Sequence, residues 1–282
     1  MAIKVAFKGT SMTLVGRRIK EGMPGPDFKV VDGDSKEVTL SDFKGKTKLI
    51  TTYLSLDTPV CDGQLKEFNK QIRGAFEDVL AIGISKDLPF ASKRFCAMNE
   101  IEDIKAFSDY KTSSFGINYG LLIKEANLLG RSVIILDKND VIRYIQVVNE
   151  MTRAPDYDDA LKRLSEVEKI QKDEKVQEAP RCKACAGFTE PLSGKELEDF
   201  RSKVTGWELL EGKKLVKEFK FADFAEAKYF LDLLCVIAQE QGHHPNFNLI
   251  YNKLRVSLTT HAAGGLTEND FIMAKIIDEV NL

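Results

Sequence analysis

The sequence predicts two unlike folds in one chain: an α/β layered domain over residues 1–167 and an α+β domain over 182–282, its helices on one face of an antiparallel four-stranded sheet. Three observations predict this. First, 282 residues with 43% hydrophobic content exceed the usual length of one domain and are enough to bury two cores. Second, residues 168–181, EKIQKDEKVQEAPR, are almost entirely charged or polar and carry a proline near the end. Such a composition cannot offset its own ordering entropy by apolar burial, so it reads as a linker. Third, strand and helix patterns alternate before this segment, whereas helices and paired strands follow it.

The elements follow in order. KLITTYLSL (Lys48 to Leu56) is strand-like, and after a break at Asp57-Thr58-Pro59 it gives way to Leu65, Phe68, Ile72 and Phe76 at helical spacing. DVLAIGIS reads as a buried strand, a helix follows from about Pro89, and SVIILDKNDVIRYIQVV contains two apolar runs around the polar turn Asp137 to Asp140. A last helix opens near Asp156 with Leu161, Leu164 and Val167 on one face. The sum, βαβα, a hairpin and a helix, is an α/β layer pattern of the thioredoxin-like type. Beyond the linker, Ser193 and Glu196 fit a capping box ahead of Leu197, Phe200 and Val204. A hairpin is expected at Glu211-Gly212, with KLVKEFKF as its second strand. Asp223 then opens a long amphipathic helix that directs Ala227, Phe230, Leu234 and Ile237 to a core and stops at Gly242. NLIYN and KLRVSLTTH are strand-like, and Thr267 with Asp270 opens the final helix, completing α-ββ-α-ββ-α.

Composition narrows the function classes. A formal charge of −2 gives no global attraction to phosphate or anionic lipid, so neither nucleic acid nor a membrane surface is an expected partner, and small molecules are. The start, MAIKVAFKGTSMTLVGRR, has no long apolar run or small-residue cleavage site, and no later stretch reaches the length of a membrane span, so a soluble cytoplasmic protein is expected. Five cysteines are too few and too scattered for a secreted disulfide framework.

Cys61 lies where strand and loop hand over to a helix, beside the free N–H groups and positive dipole end of the first turn. A free thiol has a pKa of about 8.5, and such a setting, helped by a cation, favours the nucleophilic thiolate. Thr58 offers a hydroxyl to the sulfur and to an incoming oxygen, and Arg131 is a candidate cation. The blander reading, that Cys61 and Cys96 are small buried hydrophobes, is the default for free cysteines. SLDTPVC (Ser55 to Cys61), RFC (Arg94 to Cys96) and NEMTRAPDYDDAL, in that order over residues 1–167, resemble the thiol peroxidases, atypical two-cysteine peroxiredoxins. The resemblance implies Cys61 as the peroxidatic cysteine, Thr58 as its hydrogen-bonding partner, Arg131 as the stabilising arginine and Cys96 as the resolving cysteine. It also implies reduction of hydrogen peroxide and organic hydroperoxides through a Cys61–Cys96 disulfide that a thioredoxin-like dithiol restores, with no metal or organic cofactor. One departure is Leu54, where the family carries a proline.

All three histidines of the chain, His243, His244 and His261, fall within nineteen residues. Imidazole exchanges protons near neutrality, so one pocket holding all three would suit acid–base chemistry. Three imidazoles also suit zinc, but adjacent histidines tend to point apart and no further ligand sits at an obvious spacing. GHHPNFNLIYNKLRVSLTTHAAGGLTENDF (Gly242 to Phe271), extended back through PLSGKELEDF and Trp207, resembles the pterin-4a-carbinolamine dehydratases. That resemblance implies dehydration of 4a-hydroxytetrahydropterin to quinonoid dihydropterin, with the three histidines lining the pocket and Asp270, Trp207 and Pro245 supporting the substrate. Trp207 reads equally as a core aromatic, and Asp270 also as a helix cap. Departures are Gln239, with Glu240 next to it, where an acid is usual, and Asn269 where some members have arginine. Cys182 and Cys185 form a lone CxxC, half a zinc site or a redox pair on spacing, but with no second pair a structural or incidental role is the expectation, and Cys235 is expected in the core on the apolar face of the long helix. Three readings follow: both domains active; a peroxidase only, with the C-terminal domain as an oligomerisation or partner-binding module; or a dehydratase only. The intact residue sets favour the first. The two resemblances imply a homo-oligomer, a dimer or tetramer.

Overall fold

A computed structural model of the chain describes residues 3–170, 179–183 and 190–282. The expected linker lies largely outside the described residues, as does Cys185. The chain divides into two compact units, the first through Ala179 and the second from Pro180.

In the first unit the strands are β1 (Ile3–Phe7), β2 (Thr10–Arg17), β3 (Lys29–Val31), β4 (Glu37–Thr39) and β5 (Thr47–Thr52), and helix α1 spans Pro59–Ile72. There follow β6 (Val79–Ser85), α2 (Pro89–Met98), β7 (Ile104–Ser108), α3 (Ser114–Asn118), β8 (Leu122–Ile123), β9 (Leu128–Leu129), β10 (Ser132–Leu136), β11 (Ile142–Val147) and α4 (Tyr157–Glu168). The main sheet runs β11-β10-β5-β6-β7-β3-β4, with β5, β6 and β7 parallel and the rest antiparallel. Every residue of β5 and β6 is buried; β6 is accordingly a continuous run of apolar or small residues, whereas β5 buries Lys48 and three threonines beside Leu49 and Ile50. Gly83 in β6 is required by packing: a Cβ there would stand 2.6 Å from Leu65 Cδ1 of α1 and 3.2 Å from the Tyr53 ring. Its absence lets α1, and with it Cys61, seat closely on the sheet.

The expected strands, helices and hairpin of this unit are present, α4 with Asp156 as its N-cap accepting from Asp159 N–H. Beyond these stand β1 to β4, β7, α3, β8 and β9, which no expectation covers, the eight-residue β2 among them. The strands β3, β4, β8 and β9 are only two or three residues long, too short to show a period.

In the second unit, α5 (Gly194–Arg201) leads to the hairpin β12 (Glu208–Leu210) and β13 (Lys214–Lys220), then α6 (Phe224–Gln241), β14 (Asn246–Ile250), β15 (Lys253–Leu258) and α7 (Glu268–Glu279). The strands form an antiparallel sheet ordered β12-β13-β15-β14. The hairpin turn has positive φ at both Glu211 (51°) and Gly212 (66°), the type I′ geometry that matches strand twist. Ala227, Phe230, Leu234 and Ile237 are buried along α6, which Gly242 ends in a left-handed conformation.

Three expectations need correction. Cys235 is exposed, because it falls between Asp232 and Gln239 on the outer face of α6, one position off the buried Leu234. The capping box at Ser193 does not form: Ser193 is the N-cap without a side-chain bond, and α5 stops at Arg201, short of Val204. Strand β15 ends at Leu258 rather than His261, because the Thr260 N–H turns to the Gly265 carbonyl (2.9 Å) and closes a loop there.

Candidate functional site

Thr58 is the N-cap of α1 and Pro59 its first helical residue, where the missing N–H of proline is harmless; this puts Cys61 in the first turn, fully buried. The Arg131 Nη2 donates to Cys61 Sγ at 3.3 Å. Arg131 is itself buried, and its fork is held by Met151, whose carbonyl accepts from Nη2 (2.8 Å) and Nε (3.2 Å), and by Gln64 Oε1, which accepts from Nη1. Gln64 is fixed in turn by donating to Thr51 Oγ1 (2.5 Å) and the Thr52 carbonyl (3.1 Å). A guanidinium out of water needs this full set of acceptors. The loop before α1 is tied down by Asp87, which accepts from Leu56 N–H (2.8 Å) and Ser85 Oγ (2.9 Å). Thr58 donates its hydroxyl to the Ser55 carbonyl (2.9 Å) rather than to the sulfur, leaving its lone pairs to accept from a bound ligand. Leu54 is buried in the core. Cys96 sits on α2, packs against the core that contains Cys61, and is a free thiol pushed up in pKa by burial.

In the second unit the hub is Asp270, fully buried at the third position of α7. Its Oδ1 pairs with His243 Nε2 at 2.7 Å, while Oδ2 accepts from Thr267 N–H (2.8 Å) and Thr260 Oγ1 (2.8 Å). A carboxylate can only accept, so Nε2 of His243 carries the proton and the ring orientation is fixed. Thr260 precedes His261, so one carboxylate anchors the segments that carry two of the histidines. His244 is exposed and its Nε2 meets Gln239 Oε1 at 3.3 Å; His261 is exposed and opens a short 3₁₀ turn. Pro245 is buried next to them. Trp207 is buried elsewhere, donating its indole N–H to Asp278 Oδ2 (3.1 Å). Asp278 lies eight residues beyond Asp270 on α7, about 12 Å along the axis, so the indole is anchored at the opposite end of that helix. Asn269 pairs with the backbone of Lys183 in both directions (2.9 and 2.8 Å), and Cys182 is buried with its N–H on Gln241 Oε1 (3.0 Å). Among the described residues no three His, Cys, Asp or Glu side chains converge into a metal-binding group.

The family model described as Redoxin matches residues 20–161, half of the chain. The chain belongs to the redoxin family. Its redoxin domain is 45% identical over 158 residues to a thiol peroxidase of Staphylococcus haemolyticus, covering 56% of this chain and 95% of that protein. It is 43% identical over 157 residues to a thiol peroxidase of Halalkalibacterium halodurans, covering 56% and 94%. A crystal structure of a peroxiredoxin-like protein from Aquifex aeolicus superposes with a TM-score of 0.56 at 38% identity, over 59% of this chain and 98% of that one. The family described as pterin 4 alpha carbinolamine dehydratase matches residues 190–280, so the redoxin domain is fused to a domain of that second family.

Around the redoxin cysteine, sequence reasoning missed Gln64 and Met151. Gln64 had a signal: it shares the buried face of α1 with Cys61, Leu65 and Phe68, where a polar side chain needs a partner. Met151 acts through its carbonyl, which no side-chain pattern announces. Thr260 in the dehydratase domain was missed for the same kind of reason, since its bond to Asp270 depends on a loop closing.

Proposed function

We propose that the chain is a bifunctional enzyme whose redoxin domain reduces hydroperoxides and whose C-terminal domain dehydrates 4a-hydroxytetrahydropterin. The observation that carries the first half is the Arg131–Cys61 contact within a fully satisfied buried network. The Cys61 thiolate attacks the peroxide, forming an S–O bond as the O–O bond breaks and the alcohol or water leaves. Arg131 steadies the negative charge on sulfur and the breaking oxygens. Cys96 then condenses with the sulfenic acid, releasing water, and a thioredoxin-like dithiol restores both thiols by exchange.

In the second half, His243, whose ring is fixed by Asp270, is the imidazole best placed to give a proton to the 4a-hydroxyl, which then leaves as water. His244 and His261, exposed and without a carboxylate partner among the described residues, are the groups available to take the N5 proton. Pro245 borders the substrate; Trp207 acts from the far end of α7. The proposal includes a cytoplasmic setting and a dimer or tetramer. No helix among the described residues is long and apolar enough to cross a membrane, and exposed Leu88, Phe90 and Met98 at α2 suit a subunit contact.

The test is to assay both reactions in one preparation, thiol-dependent peroxide consumption and pterin dehydration, for wild type, Cys61→Ser and His243→Ala. Each variant is expected to lose one activity by at least about 100-fold and keep the other within about twofold. Retention of peroxidase activity by Cys61→Ser, or of dehydratase activity by His243→Ala, would contradict the corresponding half.

A further inference from the structure

Cys182 and Lys183, near the start of the second unit, reach both of the helix ends that deliver His243 and Asp270. The Cys182 N–H donates to Gln241 Oε1 (3.0 Å), on the last residue of α6 and two positions before His243. The Lys183 N–H donates to Asn269 Oδ1 (2.9 Å), and the Lys183 carbonyl accepts from Asn269 Nδ2 (2.8 Å), one position before Asp270 on α7. The Cys182 thiol adds a longer bond to the Asn269 carbonyl (3.6 Å), and Cys182 and Asn269 are both buried. Two consecutive residues thus strap the end of α6 to the start of α7.

The strap stands where a tie is needed. Helix ends open first, because their outermost N–H and C=O groups have no partner within the helix. His243 follows such an end, after Gly242 has taken the chain into the left-handed region (φ 63°), and Asp270 lies in the first turn of the other helix. The direct bond between them, His243 Nε2 to Asp270 Oδ1 at 2.7 Å, changes in strength whenever the imidazole gains or loses charge. The strap consists of backbone, amide and thiol hydrogen bonds, and its backbone and amide groups keep the same charge at every stage. Asparagine suits position 269 because the two-way bond needs a donor and an acceptor on one side chain. Arginine, which only donates, could not receive the Lys183 N–H.

We infer that the Cys182–Lys183 strap is a positioning element of the dehydratase site, fixing the end of α6 at the start of α7 so that the His243 ring keeps its orientation on Asp270 through the proton transfers. This rests on the dehydratase reading above. Gln241 and Asn269 act through His243 and not on the reacting atoms, so their loss lowers turnover and leaves substrate binding nearly unchanged.

The experiment uses the full-length protein as wild type, Asn269→Ala, Gln241→Ala and Gln241→Glu, with 4a-hydroxytetrahydropterin as substrate. Asn269→Ala removes the two-way bond and Gln241→Ala the acceptor for the Cys182 N–H, whereas Gln241→Glu keeps an oxygen there. Both alanine variants are expected to lose kcat roughly tenfold with KM within about twofold, since small displacements of a reacting group are costly. Gln241→Glu should stay within about threefold of wild type in kcat, a rescue by the retained acceptor. By NMR, the proton on His243 Nε2 should exchange with water about tenfold faster in the alanine variants than in wild type. Backbone amides in the middle of α6 and α7 should keep their wild-type protection, which separates loosened helix ends from a weakened fold. Gln241 is only half-buried, so its two variants decide the matter alone if Asn269→Ala does not fold. A kcat within about twofold of wild type in the alanine variants, or a fall in kcat with His243 Nε2–H exchange unchanged, would overturn the inference and leave the dehydratase reading standing. Failure of wild type to dehydrate the pterin would overturn both.

Discussion

Arg131 and Asp270 hold equivalent positions in their domains: each is a buried charge whose partners are nearly all neutral or backbone groups, and each orients the side chain beside it. Arg131 gives hydrogen bonds to Cys61, Gln64 and Met151, so its planar fork matters as much as its charge. Arg131→Lys keeps a charge but cannot span these acceptors; peroxide consumption is expected to fall about 100-fold, as when one transition-state donor is removed. A steady-state assay of the reduced variant measures this, and a loss below threefold would mean that the fork is dispensable. Asp270→Asn puts an amide NH₂ against groups that are already donors, Thr260, Thr267 N–H and His243. It should cost about 1–3 kcal/mol of domain stability and lower dehydratase turnover by roughly 10- to 100-fold. Denaturant titration and a kinetic assay read the two effects separately. Cys61, Thr58, Arg131 and the histidines were named from sequence because their residue types announce chemistry. Gln64 and Thr260 were not, because their importance lies in which neighbour they reach.

At the level of elements, the long buried runs were the legible ones. β5, β6, α1, α6 and the Glu211-Gly212 hairpin follow directly from period and turn chemistry. The short strands are defined by pairing with distant segments and carry no local period. The β1–β2 hairpin is local in its pairing, and a distant residue secures its turn. It is a type I′ turn with positive φ at Lys8 and Gly9, and both N–H groups donate to the Glu150 carboxylate (3.1 and 3.2 Å), far away in sequence. Bonds from the Thr152 hydroxyl and N–H, with those from the turn, hold the Glu150 carboxyl down to about 2, from an ordinary value of 4.5. A depressed folded value means that the carboxylate adds stability above pH 4.5, and that this part is lost as pH falls from there toward about 2. Glu150→Gln should therefore melt at a lower temperature than wild type at pH 6, and the gap should shrink steadily between pH 4.5 and pH 2. A gap independent of pH would show that the charge of Glu150 is not what secures the turn.

For the whole molecule, the sequence revealed the two-domain plan through the charged segment near residue 170 and through the change of pattern across it. The chain divides close to that point, between Ala179 and Pro180. Each domain has its own reactive set, Cys61 with Arg131 in one and His243 with Asp270 in the other. What the sequence concealed was the separation inside the dehydratase domain, where Trp207 and the histidines belong to opposite ends of α7. Spacing along the chain does not reveal which end of a helix a distant side chain will meet.

Whether Cys61 is a peroxide-reactive thiol resolved by Cys96 is decided by intact-mass analysis. Reduced protein is treated with one equivalent of hydrogen peroxide, digested and mapped beside a Cys61→Ser control. A loss of two hydrogens that maps to a Cys61–Cys96 disulfide and is absent from the control is expected. Unreacted Cys61 and Cys96, or a disulfide confined to Cys182 and Cys185, would contradict it.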